Sequence, residues 1–538
     1  VTAATVGRRT ADSPGGGLTG TRAMLRLALR RDRVKLPTWT LGITLFLPYF
    51  ASVATATNST PETLRASAEM LDVPMLRLFS GPMFGMENPT VLKYLVNAYF
   101  PEFLLGAALM SMLTIARHTR AEEQSGRAEL VRAAVVGRQA ALTAALLVAV
   151  LTNVVLALLM AAAGVGVGMA PGDALLLGAA TAAMGLVFAA VTSVTVQLTE
   201  HSRAAVGIAG AVLAVVWLLR AVGAVQDSQG GWLTWLSPMG WAQLTRVADD
   251  GRWWPLALAV LLSTALTAVA YALSARRDLG AGLVASRPGR ARAARGLRSP
   301  LGLAFRLQRA SILWWGGSLI TAGLVFGGLA GTMREGVAGE ILGGEPDVVS
   351  AYLSLMGVGM SFLVGVFTVQ ATTRLRTEEN RGRVAPLLAT PTGRWAWLGS
   401  SLLATGLAAV ALLMVSGLSM AAGTALALGD VARAGAAAAA VIARTPEILF
   451  LLGIAATLFG LAPRAVALGW AVLALGAMIR FWGADLPDWV RGLSPFDHIP
   501  RMPVEDFRLT PLVMLTVLAA GLLLIGLYGF RSRDLNGT

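Results

Sequence analysis

The chain runs to 538 residues, 55% hydrophobic and only 14% charged, with a net charge of +14 and no cysteine. Its mean hydropathy of +0.66 excludes a soluble globular or disordered protein, which would carry about 25% charged residues or more. The missing cysteine excludes a disulfide framework and thiolate metal ligation, and the clustering of arginines in alternate loops points to membrane orientation rather than nucleic-acid binding.

In chain order, residues 1–20, with Gly15-Gly16-Gly17 and scattered Ser and Thr, have no periodic apolar face and are predicted to be disordered. Met24, Leu25, Leu27 and Leu29 interleave with Arg26, Arg30 and Arg31, the pattern of a helix lying on the membrane surface. The alternative is a charged extension of the span that follows. Runs of about 20 apolar residues, each long enough for a hydrocarbon layer of about 30 Å, then predict twelve spans. They fall at about 35–56, 95–116, 139–163, 173–198, 204–226, 254–274, 311–331, 350–371, 395–422, 435–461, 464–483 and 510–530. Ala54-Thr55-Ala56 resembles a signal-peptide cleavage site, but the charged leader before it is long for that role, so the first span is expected to stay uncleaved. With the basic loops inside, both termini are expected in the cytoplasm of a bacterial plasma membrane. Leu301, Leu303, Phe305 and Leu307, interleaved with Arg306 and Arg309, repeat the interfacial pattern before span seven.

A basic-acidic segment occurs twice. Residues Arg120, Glu122, Glu123, Gly126, Arg127, Gly137 and Arg138 recur, all shifted by 256 positions, as Arg376, Glu378, Glu379, Gly382, Arg383, Gly393 and Arg394. Over 117–138, eight of 22 residues agree with 373–394, which marks a duplication. Arg277-Asp278-Leu279 after span six matches Arg533-Asp534-Leu535 after span twelve, and Leu236-Ser237-Pro238 resembles Leu493-Ser494-Pro495. The expected organisation is therefore a first six-helix half over 21–280, a basic linker over 281–300 and a second half over 301–538. Six spans per half orient both halves the same way.

Each repeated loop joins a charged turn to a short apolar stretch (Leu130, Val131, Ala134 and Val135; then Leu387, Leu388 and Ala389) and ends in Gly-Arg. An apolar stripe flanked by charges suits docking of a helix into a groove on a soluble partner. The positive-inside rule alone would call for arginines, but not for paired glutamates and Gly-Arg at the same spacing.

On these loops the chain resembles the ABC-2-type permeases, and over about residues 20–535 the double-length actinobacterial exporters of polyketide antibiotics, of the tetronasin-transport type. The resemblance implies an all-α polytopic membrane protein of 12 transmembrane helices, built as two parallel six-helix halves of the type V exporter kind. It implies that Glu122, Glu123, Gly126, Arg127, Glu378, Glu379, Gly382 and Arg383 lie in or beside segments that contact ATPase subunits, two copies per permease chain. ATP and Mg would be held by those partners and no cofactor by this chain. The cargo implied is a hydrophobic or amphipathic drug or antibiotic. Pro386 and Pro391 replace Leu130 and Val135 in the second copy, so the two docking surfaces are not expected to be equivalent.

No Walker A loop is present, since neither Lys35 nor Lys93, the only two lysines, follows a glycine. The three histidines are scattered, and no catalytic or metal-binding constellation stands out. Ionisable residues inside spans are costly, so they are functional candidates. Glu102 in span two, the pair Arg444 and Glu447 in span ten, and Arg220 with Arg480 near the far ends of spans five and eleven form this set as candidate pathway or gate residues. For the two arginines the plainer reading is snorkelling to the outer interface. Trp232, Trp235, Trp241, Trp253, Trp254, Trp482 and Trp489 fit an interfacial aromatic belt, against short re-entrant helices implied by the resemblance. The rival class is a proton-coupled twelve-helix drug transporter, whose Asp-Arg/Lys-Gly loop signature between spans two and three is absent. A membrane enzyme is a third class, lacking its acidic or histidine cluster.

Overall fold

The structure, a computed structural model, describes residues 17–126, 136–278, 280–284, 295–333, 347–482 and 494–534. The described residues contain helices and turns and no strand. Among the described residues, eleven helical segments are long and apolar enough to cross a membrane, and a shorter apolar helix covers Leu468–Arg480. The chain is an all-α polytopic membrane protein. Its contacts divide it into two compact units, Val1–Pro288 and Gly289–Thr538.

Unit 1 opens with α1 (Thr21–Arg31) and α2 (Lys35–Thr57) as separate helices. Pro37 has no N–H to give to the carbonyl four residues back, so one continuous helix through this stretch is disfavoured. Asp32 at the break is 2% exposed and is held by His118 Nε2 at 2.7 Å and Arg117 Nη2 at 2.8 Å. The separate amphipathic helix expected before span one is therefore present. Two helices that hydropathy does not signal follow, α3 (Pro61–Leu71) and α4 (Pro74–Ser80), each with proline at the first position. Thr60 and Thr63 form a reciprocal capping box on α3. Then come α5 (Val91–His118), α6 (Arg120–Gln124), α7 (Ala140–Gly166), α8 (Pro171–Leu198), α9 (Ser202–Gln226), the short α10 (Trp232–Trp235) and α11 (Pro238–Gln243), and α12 (Pro255–Ala275). Helix α8 is the hub, in contact with α5, α7 and α12, and it is 78% buried where α12 is only 11% buried.

Unit 2 contains α13 (Pro300–Leu329), α14 (Val348–Asn380), α15 (Val384–Leu388), α16 (Arg394–Leu428), α17 (Val431–Ile442), α18 (Thr445–Leu461), α19 (Leu468–Trp482) and α20 (Leu509–Ser532). Helix α13 starts on Pro300 and meets no further proline. The second interfacial segment is thus the first turns of one 30-residue helix, and the charged-extension alternative holds there. Gly460 and Gly526 let α18 and α20 touch backbone to backbone; a Cβ on Gly460 would lie 2.1 Å from the Gly526 carbonyl oxygen.

The tenth span, expected over 435–461, is a candidate span over Val431–Leu461, interrupted by a turn at Ala443–Arg444 between α17 and α18, where Pro446 in the first turn of α18 cannot donate to a preceding turn. The eleventh, expected over 464–483, is described as α19 over Leu468–Trp482, and residue 483 lies outside the described residues. Arg464 does not open that span but sits in a 3₁₀ turn behind Pro463. Of the expected disordered segment, residues 17–20 form a turn in which the Gly17 and Thr19 carbonyls accept from the N–H groups of Gln139 and Gly137. Residues 1–16 lie outside the described residues, as do 285–294 of the expected linker.

Candidate functional site

In unit 1 the repeated turn is organised by its second glutamate. The Glu123 carboxylate accepts two hydrogen bonds from Arg277, at 2.8 and 2.7 Å, and a third from Arg120 at 2.6 Å. The Glu123 side chain is 12% exposed and that of Arg277 10%, so this bidentate pair is sheltered from water and strong for its kind. Arg120, buried, also donates to the carbonyls of Val196 and Ala281. The far end of the loop returns to the same place, because Arg138 Nη2 donates to the Arg277 carbonyl at 2.6 Å.

Unit 2 repeats this arrangement 256 positions later. Arg533 donates to both oxygens of Glu379 at 2.7 and 2.8 Å, and Arg394 Nη1 donates to the Arg533 carbonyl at 2.7 Å. The surroundings differ. The Arg533 guanidinium lies over the rings of Phe459 and Phe530 at 5.3 and 5.0 Å, and Arg376, the counterpart of Arg120, turns to the Arg464 carbonyl.

The first glutamates of the two turns face elsewhere. Glu122 pairs with Arg31 of α1, whereas Glu378 pairs with Arg383 at 3.1 Å on the exposed rim of its turn. Of the eight residues expected in or beside partner-contacting segments, Glu123 and Glu379 bind arginines of their own unit. Gly126 and Gly382 adopt φ of +73° and +66°, left-handed values that only glycine takes freely; their role is to end the helical turn behind the glutamates. Arg127, with the expected apolar stretch Leu130–Val135, lies outside the described residues. In unit 2 the short α15 buries Val384 and sets Leu387 and Leu388 against its own core. In unit 1 a cavity of about 110 Å³ is lined by Leu27 and Arg31 of α1 together with Glu122, Arg138, Ala141 and Leu142. Arg138, Arg277 and Arg533 were not among the expected site residues. The signal for the last two was the Arg-Asp-Leu repeat.

The candidates inside the spans separate into two places. Arg220 does not snorkel. It is fully buried and donates to the Leu78 and Phe79 carbonyls at 3.1 and 2.8 Å, while Gln243 donates to the Ser80 carbonyl at 2.6 Å. Together they cap the end of α4, where a cation also complements the helix dipole. Glu102 is exposed on α5, about 16 Å from its first residue, and Arg220 acts on it electrostatically. In unit 2, Arg444 and Glu447 form a 3.2 Å ion pair, 2% and 0% exposed, at the break in the tenth span. One Glu447 oxygen meets no hydrogen-bond partner, and the Ser361 hydroxyl donates to the Val358 carbonyl at 2.9 Å. Arg480, half-buried in α19, lies within electrostatic reach of both members of the pair and of Asp497.

Trp232, Trp235 and Trp241 of unit 1 sit on α10 and α11. Trp232 is 67% exposed, Trp235 stacks on Trp254 at 5.3 Å, and Trp241 donates to the Trp235 carbonyl. The side chains of Trp482 and Trp489 lie outside the description.

The family described as "Multidrug efflux system permease Rv1217c, C-terminal domain" matches this chain twice, over residues 22–273 and 297–531. The chain is 36% identical over 533 residues to the multidrug efflux system permease protein Rv1217c of Mycobacterium tuberculosis, covering 97% of this chain and 96% of that one. The glutamates Glu123 and Glu379 fall inside the matched segments, with their partners Arg277 and Arg533 just past the ends, and the chain belongs to the Rv1217c multidrug efflux permease family.

Proposed function

We propose that this chain is the transmembrane permease subunit of an ATP-driven ABC exporter in a bacterial plasma membrane, of ABC-2 type. It moves hydrophobic or amphipathic compounds, drugs and polyketide-like antibiotics among them, out of the cell. The repeated loops at 117–138 and 373–394 face the cytoplasm and receive the movement of two copies of a separate ATPase chain, which holds ATP and Mg. The observation that carries this reading is the duplicated loop itself: at the same spacing in both units, its two ends are tied to the residue behind the last span of that unit. A loop serving only orientation has no need of such bracing, whereas a loop that is pushed does.

The test is ATP hydrolysis and ethidium export by the chain reconstituted with the ATPase that co-purifies with it, compared with the rim variant Glu378→Ala/Arg383→Ala. Drug-stimulated hydrolysis that falls in the variant supports the reading. A second reading, proton-coupled efflux, draws on the buried Arg444–Glu447 pair and its unpartnered carboxylate oxygen, the kind of intramembrane group that relays protons. Export driven by a proton gradient alone, with no ATPase in the preparation, would replace the first reading with the second.

A further inference from the structure

We infer that Arg277 and Arg533 are the latches through which each repeated loop moves the last span of its own unit; this rests on the reading that the loops receive the movement of an ATPase. Each arginine is gripped twice. Its guanidinium is held by the glutamate at the entrance of the loop, Glu123 or Glu379, and its backbone carbonyl by the arginine at the exit, Arg138 or Arg394. Entrance and exit are 15 residues apart in the chain, 123 to 138 and 379 to 394, yet both converge on one residue just past α12 or α20. A displacement of the loop as a body must therefore drag that residue or break a sheltered bidentate pair.

In unit 1 the element attached to the latch is suited to being dragged. Helix α12 is 11% buried against 78% for α8, so it shifts with the least loss of packing, and its 21 residues carry a push over about 31 Å. At its far end stand α10 and α11, themselves pinned to the rest of unit 1. The Ser237 hydroxyl donates to the Val216 carbonyl at 2.7 Å, and Gln243 donates to the Ser80 carbonyl that ends α4. A pull at Arg277 is thus delivered at the opposite end of the unit, beside buried Arg220. The two latches are positioning residues: neither need touch the cargo.

Because the chain has no cysteine, the latch can be replaced by a covalent tether. The full chain with its co-purified ATPase, in proteoliposomes, is compared as wild type, Glu123→Gln, Arg277→Lys, and the pair Glu123→Cys/Arg277→Cys before and after a bifunctional thiol reagent. Asp250→Asn, at an exposed ion pair, serves as control, and monodispersity in detergent reports folding. The expected result is retained ATP hydrolysis with ethidium export per ATP reduced by roughly fivefold or more in Glu123→Gln. Arg277→Lys, which keeps the charge but loses the fork, should fall between this variant and wild type. Cross-linking the cysteine pair should restore export per ATP, and reversal of the cross-link should abolish it again. Wild-type export per ATP in Glu123→Gln, or a folded cross-linked pair that remains uncoupled, overturns the latch while leaving the ATP-driven reading intact. A wild-type preparation that exports without any ATPase overturns both.

Discussion

The two units hold the same Glu–Arg pair in different settings. In unit 1, Glu123 is shared between Arg277 and Arg120, so the carboxylate balances two buried cations. In unit 2, Glu379 serves Arg533 alone, and the guanidinium is instead covered by the faces of Phe459 and Phe530. At the positions 256 earlier the chain has Arg203 and Ser274, which offer no ring. A charge removed from water needs compensation. One unit supplies it with a further ion and carbonyl acceptors, the other with ring quadrupoles. The contact is common to both units and its solvation is not.

The largest expected effect comes from a feature of unit 2 alone. Replacing Glu447 by Leu strands Arg444 in a dry interior and should cost about 3–5 kcal/mol, seen as a large fall in thermal unfolding temperature in detergent. Arg444→Met/Glu447→Leu should recover most of that loss. A double variant as unstable as the single one would show that the pair is held by more than its own charges.

Next come the latches. Glu123→Gln leaves two arginines without their carboxylate where Glu379→Gln leaves one. The first should be the more destabilising by about 1.5–3 kcal/mol, the worth of one further charge-assisted hydrogen bond. Equal losses in chemical unfolding would mean that Arg120 is satisfied by the Val196 and Ala281 carbonyls alone. Phe530→Leu should cost about 1–2 kcal/mol and should make the Glu379–Arg533 pair more sensitive to salt, an effect with no counterpart in unit 1.

Gly126→Ala and Gly382→Ala should each cost about 1 kcal/mol, and nearly the same amount. Both sites have positive φ, and nothing lies within 4 Å of an added Cβ, so only the backbone term differs. The smallest effect on stability is expected from Arg383→Gln. Its side chain is 57% exposed, and exposed pairs contribute at most about 1 kcal/mol. Unfolding should barely change, while pull-down of the ATPase weakens. A variant that lost stability and binding together would count against a docking role for this rim.

Most spans were legible because apolar runs of membrane length have few alternatives. What escaped was set by single residues or by distance along the chain. Pro37 separates α1 from α2, and Pro446 opens a break inside a continuous apolar run; both are visible in the sequence but outweighed by hydropathy. Helices α3 and α4 are too short and mixed to produce a hydropathy peak. The repeat pointed to the two loops, but Glu123 and Arg277 are 154 residues apart, and no local pattern reveals that they meet. Arg220 illustrates the opposite error. An arginine near a helix end suggests snorkelling, yet buried carbonyls at the end of α4 offered it a better partner than water.

Because both margins of each loop are anchored to one arginine, the register of the helices on either side is set at the anchors and does not depend on the residues between them.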